Sequence, residues 1–264
     1  MLNLSELTDK VRALAIEAGD FIREERKKFH REAIEKKHAH DYVSYVDKES
    51  EKKIVTRLKE LLPEAGFIAE EGSGTLNDEQ YCWLVDPLDG TTNYSQGLPI
   101  FPVSIGLQCK GETVLGVVYA PYLNELYEAC KGKGAMLNGR SIHVSGKNDT
   151  QESVVSTGFP IDKDRNPDNN LDNLARILPM VRGVRRQGSA AFDLCCVAAG
   201  ILDGYWEFNL HLWDVCAGIL IVTEAGGTVR SFREDRNVSI VAGTPAIVEQ
   251  LYPRLSDKPG KICL

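Results

Sequence analysis

The sequence predicts a mixed α/β or α+β fold of two lobes, with a soft boundary near residues 145–152. Two helical patterns open the chain, short β-rich segments follow, and beyond the boundary strands alternate with helices. The chain has 264 residues, 43% of them hydrophobic and 26% charged, as in a globular protein that can bury a large core. This composition excludes a disordered tail, a collagen-like repeat and a disulfide-stapled miniprotein.

The first lobe begins with two predicted amphipathic helices. Residues 4–29 place apolar side chains on a stripe with a 3.6-residue period, and residues 47–62 show the same pattern until Pro63 stops it. Residues 23–38 carry seven Lys or Arg and four Glu. Because the two signs are interleaved, we interpret this run as a solvated helix face and loop, with a basic patch for a partner as the alternative.

Strands follow, separated by Asp-Gly, Lys-Gly and Pro-Tyr steps that are typical of turns. The predicted strands of the first lobe are residues 67–68, 81–85, 103–108, 113–119 and 126–130. Those of the second lobe are residues 153–158, 183–187, 204–207, 227–231 and 239–241. Its predicted helices are residues 171–178, 189–200, 213–225 and 245–254, the third of which ends at a Gly-Gly pair suited to a C-cap.

The charge balance, 31 Lys or Arg against 38 Asp or Glu, gives a net charge of −7. An acidic chain argues against a protein that works mainly by binding nucleic acid phosphates. The N-terminus lacks the basic start and apolar core of a signal peptide, and no apolar run approaches the ~20 residues of a membrane span. Seven cysteines without a C-x-x-C pair predict reduced, mostly buried thiols. We therefore expect a cytoplasmic protein without a membrane attachment.

The most informative segment is WLVDPLDGTTN, residues 83–93. Pro87 must end the apolar strand at Asp86, and Gly90 permits a tight turn and a close approach by a ligand. Asp86 and Asp89 can point the same way, together with a carbonyl between them. Clustered hard oxygens without a neighbouring Lys or Arg repel one another unless a hard cation such as Mg²⁺ lies between them. Asp-Gly alone is an ordinary turn, but the whole string predicts a magnesium site.

Two further acidic segments accompany this motif. Glu70 and Glu71 follow a short apolar strand, and Glu71 is interpreted as part of a solvated loop. Asp214 stands near the start of an apolar helix, where an N-cap or first-turn acid is the simpler interpretation. A shared site with Asp86 requires long-range convergence, which spacing cannot show.

In their order and spacing, these segments resemble the inositol monophosphatase family of Mg²⁺-dependent, lithium-sensitive phosphatases. The resemblance covers nearly the whole chain and includes Val46-Asp47-Lys48, Gly188-Ser189-Ala190-Ala191 and Glu-Ala-Gly-Gly at residues 224–227. It implies a layered α/β/α/β/α sandwich, commonly a homodimer. It also implies one catalytic unit over residues 1–264, with metal motifs in an N-terminal lobe (1–147) and the substrate wall and last metal ligand in a C-terminal lobe (148–264).

The resemblance implies two to three Mg²⁺ ions, with Mn²⁺ as a substitute and Li⁺ as an inhibitor. The first ion would take Glu70, Asp86 and the carbonyl of Leu88. The second would take Asp86, Asp89 and Asp214, and a third, weaker ion would contact Glu70 and water.

The resemblance assigns catalytic roles to Glu70, Thr91 and Asp47. Thr91, with Glu70 behind it, would orient and deprotonate the attacking water, and Asp47 would support Thr91 through a hydrogen bond. The amides of Gly90 and Thr91 would hold the phosphate, as helix N-termini do for anions.

The family pattern also predicts which residues contact the substrate. Glu207 matches the position that contacts inositol hydroxyls. The predicted substrate-binding residues are Asp89, Gly90, Thr91, Gly188, Ser189, Ala190, Glu207 and Asp214. The basic cluster of Arg182, Arg185 and Arg186 fits a second phosphate, a dimer contact or a solvated strand, of which surface roles are favoured.

We therefore predict hydrolysis of a small phosphate monoester, with inositol 1-phosphate first, by a homodimer. A fructose-1,6-bisphosphatase or a dual-specificity sugar phosphatase is the enzymatic alternative, and a non-catalytic regulator of the transcription machinery is the alternative of another class. An aspartyl-phosphate mechanism of the haloacid dehalogenase type is disfavoured because Pro87 stands where its nucleophile belongs. The absence of a C-x₅-R loop excludes a cysteine-dependent phosphatase.

Overall fold

Helices and sheets stack in five layers, α/β/α/β/α, which confirms the predicted sandwich. The structure, a computed structural model, describes residues 2–29, 34–38, 41–74 and 80–255, with side chains described except within residues 34–43. The strands between Gly66 and Ile142 and those between Val154 and Gly243 belong to two different large sheets. The division into lobes at residues 147 and 148 stays a prediction.

The first layer contains α1 (Leu4–Arg26) and α2 (Tyr45–Leu61), which pack on one another and bury the predicted apolar stripes. α2 begins at Ser44 with a capping box in which Asp47 accepts a hydrogen bond from the Ser44 N–H. Between the helices, β1 (Ile34–His38) and β2 (Asp41–Ser44) form an antiparallel hairpin. The predicted solvated loop is therefore wrong for residues 34–38, because backbone pairing makes a strand there without any apolar alternation.

The second layer is a sheet of seven strands in the order β3-β4-β5-β6-β7-β8-β9. Its strands are β3 (Gly66–Ala69), β4 (Tyr81–Asp86), β5 (Val103–Cys109), β6 (Glu112–Ala120), β7 (Glu125–Cys130), β8 (Ala135–Leu137) and β9 (Arg140–Ile142). Only β3 and β4 are parallel neighbours within it. The short elements β8, β9 and α3 (Thr91–Gln96) were not predicted, because so few residues show no period.

The third layer contains α5 (Ala190–Ala198) and α6 (Leu212–Glu224), both of them almost entirely apolar. The fourth is a five-stranded sheet in the order β11-β10-β12-β14-β13. Its strands are β10 (Val154–Thr157), β11 (Gly183–Arg185), β12 (Gly204–Leu210), β13 (Thr228–Ser231) and β14 (Val238–Gly243). α4 (Leu171–Ile177) and α7 (Pro245–Leu251) form the outer layer. Helices that lie between two sheets are buried on both faces, which explains why α5 and α6 lack a polar face.

Three apolar clusters fill the interfaces between layers. One lies between α1, α2 and the larger sheet, a second surrounds α5 and α6, and a third lies beneath α7. Each of the six cysteines in the described part of the chain is a free thiol. Over the same residues, no helix combines the length and apolarity that crossing a membrane requires.

Candidate active site

The candidate site begins at the turn that follows β4. The strand ends at Asp86, as Pro87 predicts, and the N–H of Leu88 donates to Asp86 Oδ1 at 2.9 Å. Gly90 then takes a left-handed conformation with φ +92°. A Cβ there would lie 3.0 Å from the carbonyl oxygen of Gly188 and 3.1 Å from that of Ile100. Glycine is therefore required both by the backbone conformation and by the close approach of two other segments.

Parallel pairing of β3 with β4 brings Glu70 beside Asp86. Ala69 pairs with Val85, and the N–H of Glu70 donates to the carbonyl of Val85 at 3.2 Å. Desolvation and repulsion from Glu70 raise the pKa of Asp86, and a hydrogen bond between the two carboxyl groups adds to the rise. Two short strands that end at the same edge thus bring together two carboxylates that are distant in sequence.

The first turn of α6 brings Asp214 to the same place. Ser104 pairs with Asp86 across β4 and β5, and its hydroxyl donates to the carbonyl of Trp213 at 3.4 Å. Asp214 Oδ2 accepts a hydrogen bond from the N–H of His211 at 2.7 Å, which caps the helix. Asp214 therefore has both of the roles considered from the sequence: it caps α6, and it lines the cavity together with Asp86.

A cavity of about 370 Å³ opens over this turn. Every predicted metal ligand and every predicted substrate contact lines it, namely Glu70, Asp86, Leu88, Asp89, Gly90, Thr91, Gly188, Ser189, Ala190, Glu207 and Asp214. Asp47 lies behind it, 1% exposed. The long-range convergence that spacing could not show is therefore present in the structure.

Asp47 contacts Thr91, as the resemblance implies. The Thr91 hydroxyl donates to Asp47 Oδ1 at 3.0 Å, while Asp47 Oδ2 accepts from the Ser44 hydroxyl at 2.6 Å and the Ser44 N–H at 2.8 Å. Burial raises the pKa of Asp47, and these hydrogen bonds oppose the rise. The Thr91 hydroxyl is thus fixed in place by a side chain that also caps α2.

Asp89 joins the β4 turn to the start of α5. Its Oδ2 accepts a hydrogen bond from the Ser189 hydroxyl at 2.6 Å and from the N–H of Ala191 at 2.8 Å. Desolvation raises the pKa of Asp89 to about 6 against these bonds and the nearby Arg186. α3, α5 and α6 all begin at residues that line the cavity. Their positive dipole ends therefore face this acidic cluster.

The cluster carries more negative charge than its protein neighbours can balance. Desolvation and repulsion from neighbouring carboxylates raise the pKa of Asp86 and of Asp214. Arg186 supplies the single Lys or Arg among the described residues that line the cavity. Four carboxylates with so little compensation fit a divalent cation, for which hard oxygens are the preferred ligands.

The described side chains are not arranged as a complete metal-binding site. No group of three or more His, Cys, Asp or Glu in the described ranges is placed to hold a metal ion. Asp86, Asp89 and Asp214 line one cavity, and their predicted sharing of a second ion stays a prediction. Asp89 and Asp214 each direct one oxygen toward a backbone N–H group.

The substrate side contains residues that the sequence analysis missed. Tyr205 donates its hydroxyl hydrogen to Glu207 Oε2 at 2.8 Å, and desolvation raises the pKa of Glu207 to about 7. Asp193 lines the cavity and accepts a hydrogen bond from Gln187 at 2.8 Å. The sequence did offer a signal for Asp193, because it is the one charged residue in the apolar helix α5. The apolar residues 159–161 also line the cavity and gave no signal.

The structure divides the basic cluster. All three arginines are exposed, and Arg186 also lines the cavity, whereas Arg182 and Arg185 are not among its lining residues. Arg186 therefore faces the cavity from an exposed position, and the roles predicted for the cluster stay predictions. The charge of Arg186 lowers the pKa of Asp89 and Glu207, against the stronger effect of desolvation.

The layered fold and the acidic cavity together define a class of phosphatases. The chain belongs to the inositol monophosphatase family, whose family model matches residues 3–258.

Two curated relatives and one solved structure illustrate the range of the family. The chain is 39% identical over 248 residues to a fructose-1,6-bisphosphatase/inositol-1-monophosphatase of Aquifex aeolicus, covering 94% of each chain. It is 42% identical over 232 residues to the Nus factor SuhB of Pasteurella multocida, covering 84% of this chain and 86% of that protein. The structure of an inositol monophosphatase from Anabaena superposes with a TM-score of 0.85 at 35% identity, covering 96% of each chain.

Proposed function

We propose that this protein hydrolyses phosphate monoesters in a Mg²⁺-dependent reaction, with inositol 1-phosphate as the preferred substrate. The observation that carries the proposal is the convergence of Glu70, Asp86, Asp89 and Asp214 on one cavity with a single Lys or Arg in its lining. The relative from Aquifex, whose name includes inositol-1-monophosphatase, supports the choice of substrate.

The residues present fit two to three divalent cations in the proposed sets. Glu70, Asp86 and the Leu88 carbonyl would hold one ion, and Asp86, Asp89 and Asp214 would hold the second. When bound, such ions neutralise phosphoryl oxygens and lower the pKa of a water molecule. Asp86 belongs to both proposed sets, so its replacement tests both at once.

The position of the Thr91 hydroxyl suits it to orient a water molecule. Because Thr91 donates its hydrogen to Asp47, its oxygen remains an acceptor toward the cavity. A water that donates to this oxygen is held for attack on phosphorus, and Glu70 is the proposed acceptor of its second proton. Such positioning suffices for phosphoryl transfer without a covalent nucleophile.

The phosphate and the alcohol portion are proposed to occupy different parts of the lining. The Gly90 and Thr91 amides would donate to phosphate oxygens. Ser189 and Ala190, at the start of α5, and Glu207, on β12, would bound the polyol. A carboxyl group of raised pKa can donate or accept hydrogen bonds, which suits a substrate rich in hydroxyl groups.

Fructose 1,6-bisphosphate is the second candidate substrate. Arg186 in the cavity lining can balance a second phosphate, and the Aquifex relative carries fructose-1,6-bisphosphatase in its name. Arginine suits this role because its planar fork matches phosphate oxygens. Arg186→Gln is expected to weaken use of the bisphosphate more than use of the monophosphate.

A regulatory role is the candidate of another class, supported by the similarity to the Nus factor SuhB of Pasteurella. Asp86→Asn separates the two roles, because it removes a proposed ligand without changing the surface. If this variant loses phosphate release and leaves a deletion phenotype fully complemented, the enzymatic role is not the relevant one. The proposed homodimer is checked by the mass of the protein in solution, measured by light scattering.

The test is phosphate release from inositol 1-phosphate, fructose 1,6-bisphosphate, histidinol phosphate and adenosine 3′,5′-bisphosphate, with Mg²⁺ or with a chelator. We expect the highest kcat/KM for inositol 1-phosphate, loss of activity with chelator, recovery with Mg²⁺ or Mn²⁺, and inhibition by Li⁺. The kcat/KM of Asp86→Asn for inositol 1-phosphate should be at least about a hundredfold below that of wild type, since metal-supplied charge stabilisation is worth several kcal/mol. Glu64→Gln, an exposed carboxylate, is the control.

Each outcome of this panel bears on a separate part of the proposal. Activity that survives the chelator contradicts the metal mechanism. A strong preference for the adenosine substrate contradicts the proposed substrate class. Full activity in high lithium contradicts only the proposed inhibition.

A further inference from the structure

One part of the cavity lining comes from a connection without helix or strand. Residues 158–161 line the cavity and begin the connection 158–170 between β10 and α4. A connection of this length is uncommon in a compact domain, and most such connections either carry function or are linker segments. Here the contacts that fix it come from a distant part of the chain.

Two arginines of the turn between β13 and β14 hold the connection. Arg236 donates from Nη2 to both carboxylate oxygens of Asp162, each at 2.9 Å, and from Nη1 to the carbonyl of Asp168 at 3.0 Å. Arg233 donates from Nη1 to Asp168 Oδ1 at 2.9 Å. The Arg233–Asp168 pair is buried, with side chains 1% and 7% exposed, so solvent and salt screen it little. In the Arg236–Asp162 pair the side chains are 13% and 34% exposed.

The same two guanidinium groups contact the neighbouring part of the cavity wall. Their central carbons lie 5.0 Å (Arg233) and 5.4 Å (Arg236) from the ring centroid of Phe208, a lining residue that follows Glu207 on β12. One pair of cations therefore fixes the connection and the strand that carries Glu207 relative to each other.

The ends of the connection are fixed by Asn170. Its Nδ2 donates to the Gly158 carbonyl at 2.6 Å and to the Thr157 hydroxyl at 2.9 Å, and its Oδ1 accepts from the indole N–H of Trp206 at 3.0 Å. Asn170 thus holds the start of the connection against its end and against β12. With the ends fixed there, Arg236 and its bidentate contact to Asp162 decide the position of the stretch between them.

We propose that Arg236, with Arg233 behind it, is a positioning residue that holds residues 158–161 as a rigid wall for the polyol portion of the substrate. The proposal rests on the proposed function and adds the part of the enzyme that selects the alcohol. Phe159, Pro160 and Ile161 present apolar surface to the same cavity as Glu207. A polyol ring matches this pairing, because its C–H face is apolar and its hydroxyl edge is polar.

The test compares Arg236→Gln with wild type on two substrates, inositol 1-phosphate and glycerol 2-phosphate, whose small alcohol lacks a ring. We expect KM for inositol 1-phosphate to rise about tenfold with kcat within about twofold, because a misplaced wall weakens binding and not the chemical step. KM for glycerol 2-phosphate should stay within about twofold of wild type. Arg236→Lys should recover part of the loss, since Lys keeps the charge but lacks the fork.

Two further variants separate positioning from unfolding. Arg165→Gln removes an exposed arginine of the same connection, whose ion pair with Asp164 lies within that connection, and should match wild type on both substrates. Asp162→Asn weakens the Arg236–Asp162 contact and should raise KM in the same direction as Arg236→Gln, by no more than that variant, which also loses its contacts with Asp168. The double variant should be no worse than Arg236→Gln alone, because that variant already lacks the contact that Asp162→Asn weakens.

Hydrogen exchange over residues 158–169 supplies a readout apart from activity. Exchange there should accelerate in Arg236→Gln and stay unchanged in Arg165→Gln. An active wild type whose Arg236→Gln variant keeps its KM, or loses activity equally on both substrates, overturns the inference alone. A wild type that releases phosphate from neither substrate overturns the proposed function and this inference with it.

Discussion

Several carboxylates of the candidate site hold the local structure as well as serving the site. Asp214 caps α6, Asp47 completes the capping box of α2, and Asp89 accepts hydrogen bonds at the start of α5. The capping interpretation of Asp214 is therefore correct but incomplete, since the same residue also lines the cavity. Because the capping contact fixes the rotamer, it also fixes where the remaining oxygen points.

The buried Asp193 makes stability depend on pH. Burial raises its pKa from 3.8 to about 8, while the hydrogen bond from Gln187 opposes the rise. Between these two values the folded protein keeps a proton that the unfolded chain has lost, so the free energy of unfolding falls as the pH rises through this window. In Asp193→Asn the free energy of unfolding should fall less steeply with pH than in wild type, by up to about 1.4 kcal/mol per pH unit.

Urea unfolding of the metal-free protein at several pH values within that window measures this slope. Glu207, whose pKa burial raises to about 7, contributes with the same sign in both proteins. The exposed Asp164, replaced by Asn, is the control and should leave the slope unchanged. Parallel profiles for wild type and Asp193→Asn would contradict the prediction.

At the scale of elements, α6 packs between the two large sheets and contacts both of them. It carries Asp214 to the cavity and packs against β5 and β6 of the larger sheet. The close packing depends on glycines in those strands: a Cβ at Gly116 would lie 2.9 Å from the Cα of Ala217, and one at Gly106 would lie 2.4 Å from Cys216 Sγ. The strand glycines thus set the distance between the larger sheet and the helix.

Gly116→Ala is expected to destabilise the protein by about 1–3 kcal/mol, because the atoms that it meets belong to the backbone of α6 and cannot rotate away. Urea unfolding measures the loss, and phosphate release should fall as well because Asp214 moves with the helix. Gly146→Ala is the matched control, since a Cβ there meets nothing within 4 Å. A Gly116→Ala variant as stable as this control would show that the helix can shift without cost.

The elements that the sequence analysis missed share a physical cause. α3 has six residues, and β8 and β9 have three each, so no hydrophobic period can develop in them. In the hairpin of β1 and β2, pairing satisfies the backbone although four of the nine residues are charged. Among the long elements, α1 was predicted because its buried stripe repeats, and β6 because it is a long β-rich run, seven residues of which are buried in succession.

For the whole molecule, the net charge of −7 includes six carboxyl groups that line one cavity, four of them proposed metal ligands. Two divalent ions would offset four of these charges, so the formal charge of the chain does not describe the protein in the proposed metal-bound state. A cavity loaded in this way can attract the phosphate dianion that the bare carboxylates repel.

Mg²⁺ is therefore expected to stabilise the folded protein, because the carboxylates are gathered only in that state. At a hundred times the dissociation constant, the thermal midpoint should rise by roughly 5–10 °C for a chain of this size. Differential scanning fluorimetry with a sodium salt at matched ionic strength checks this. Asp86→Asn should lose the shift and, without metal, melt no lower than wild type, since repulsion in the cluster is relieved. An unchanged wild-type midpoint contradicts metal binding by this site.

The sequence by itself determined the mixed α/β class, the long elements and the family, because hydrophobic period, Pro87 and the DPLDGTT string are local properties of the chain. Only the tertiary structure decided that Glu70, Asp86 and Asp214 meet, because their approach depends on the pairing of β3, β4 and β5 and on where α6 begins. The same holds for Arg236, whose contact with Asp162 joins two segments far apart in sequence. Such contacts arise from packing between layers, which neither period nor spacing encodes.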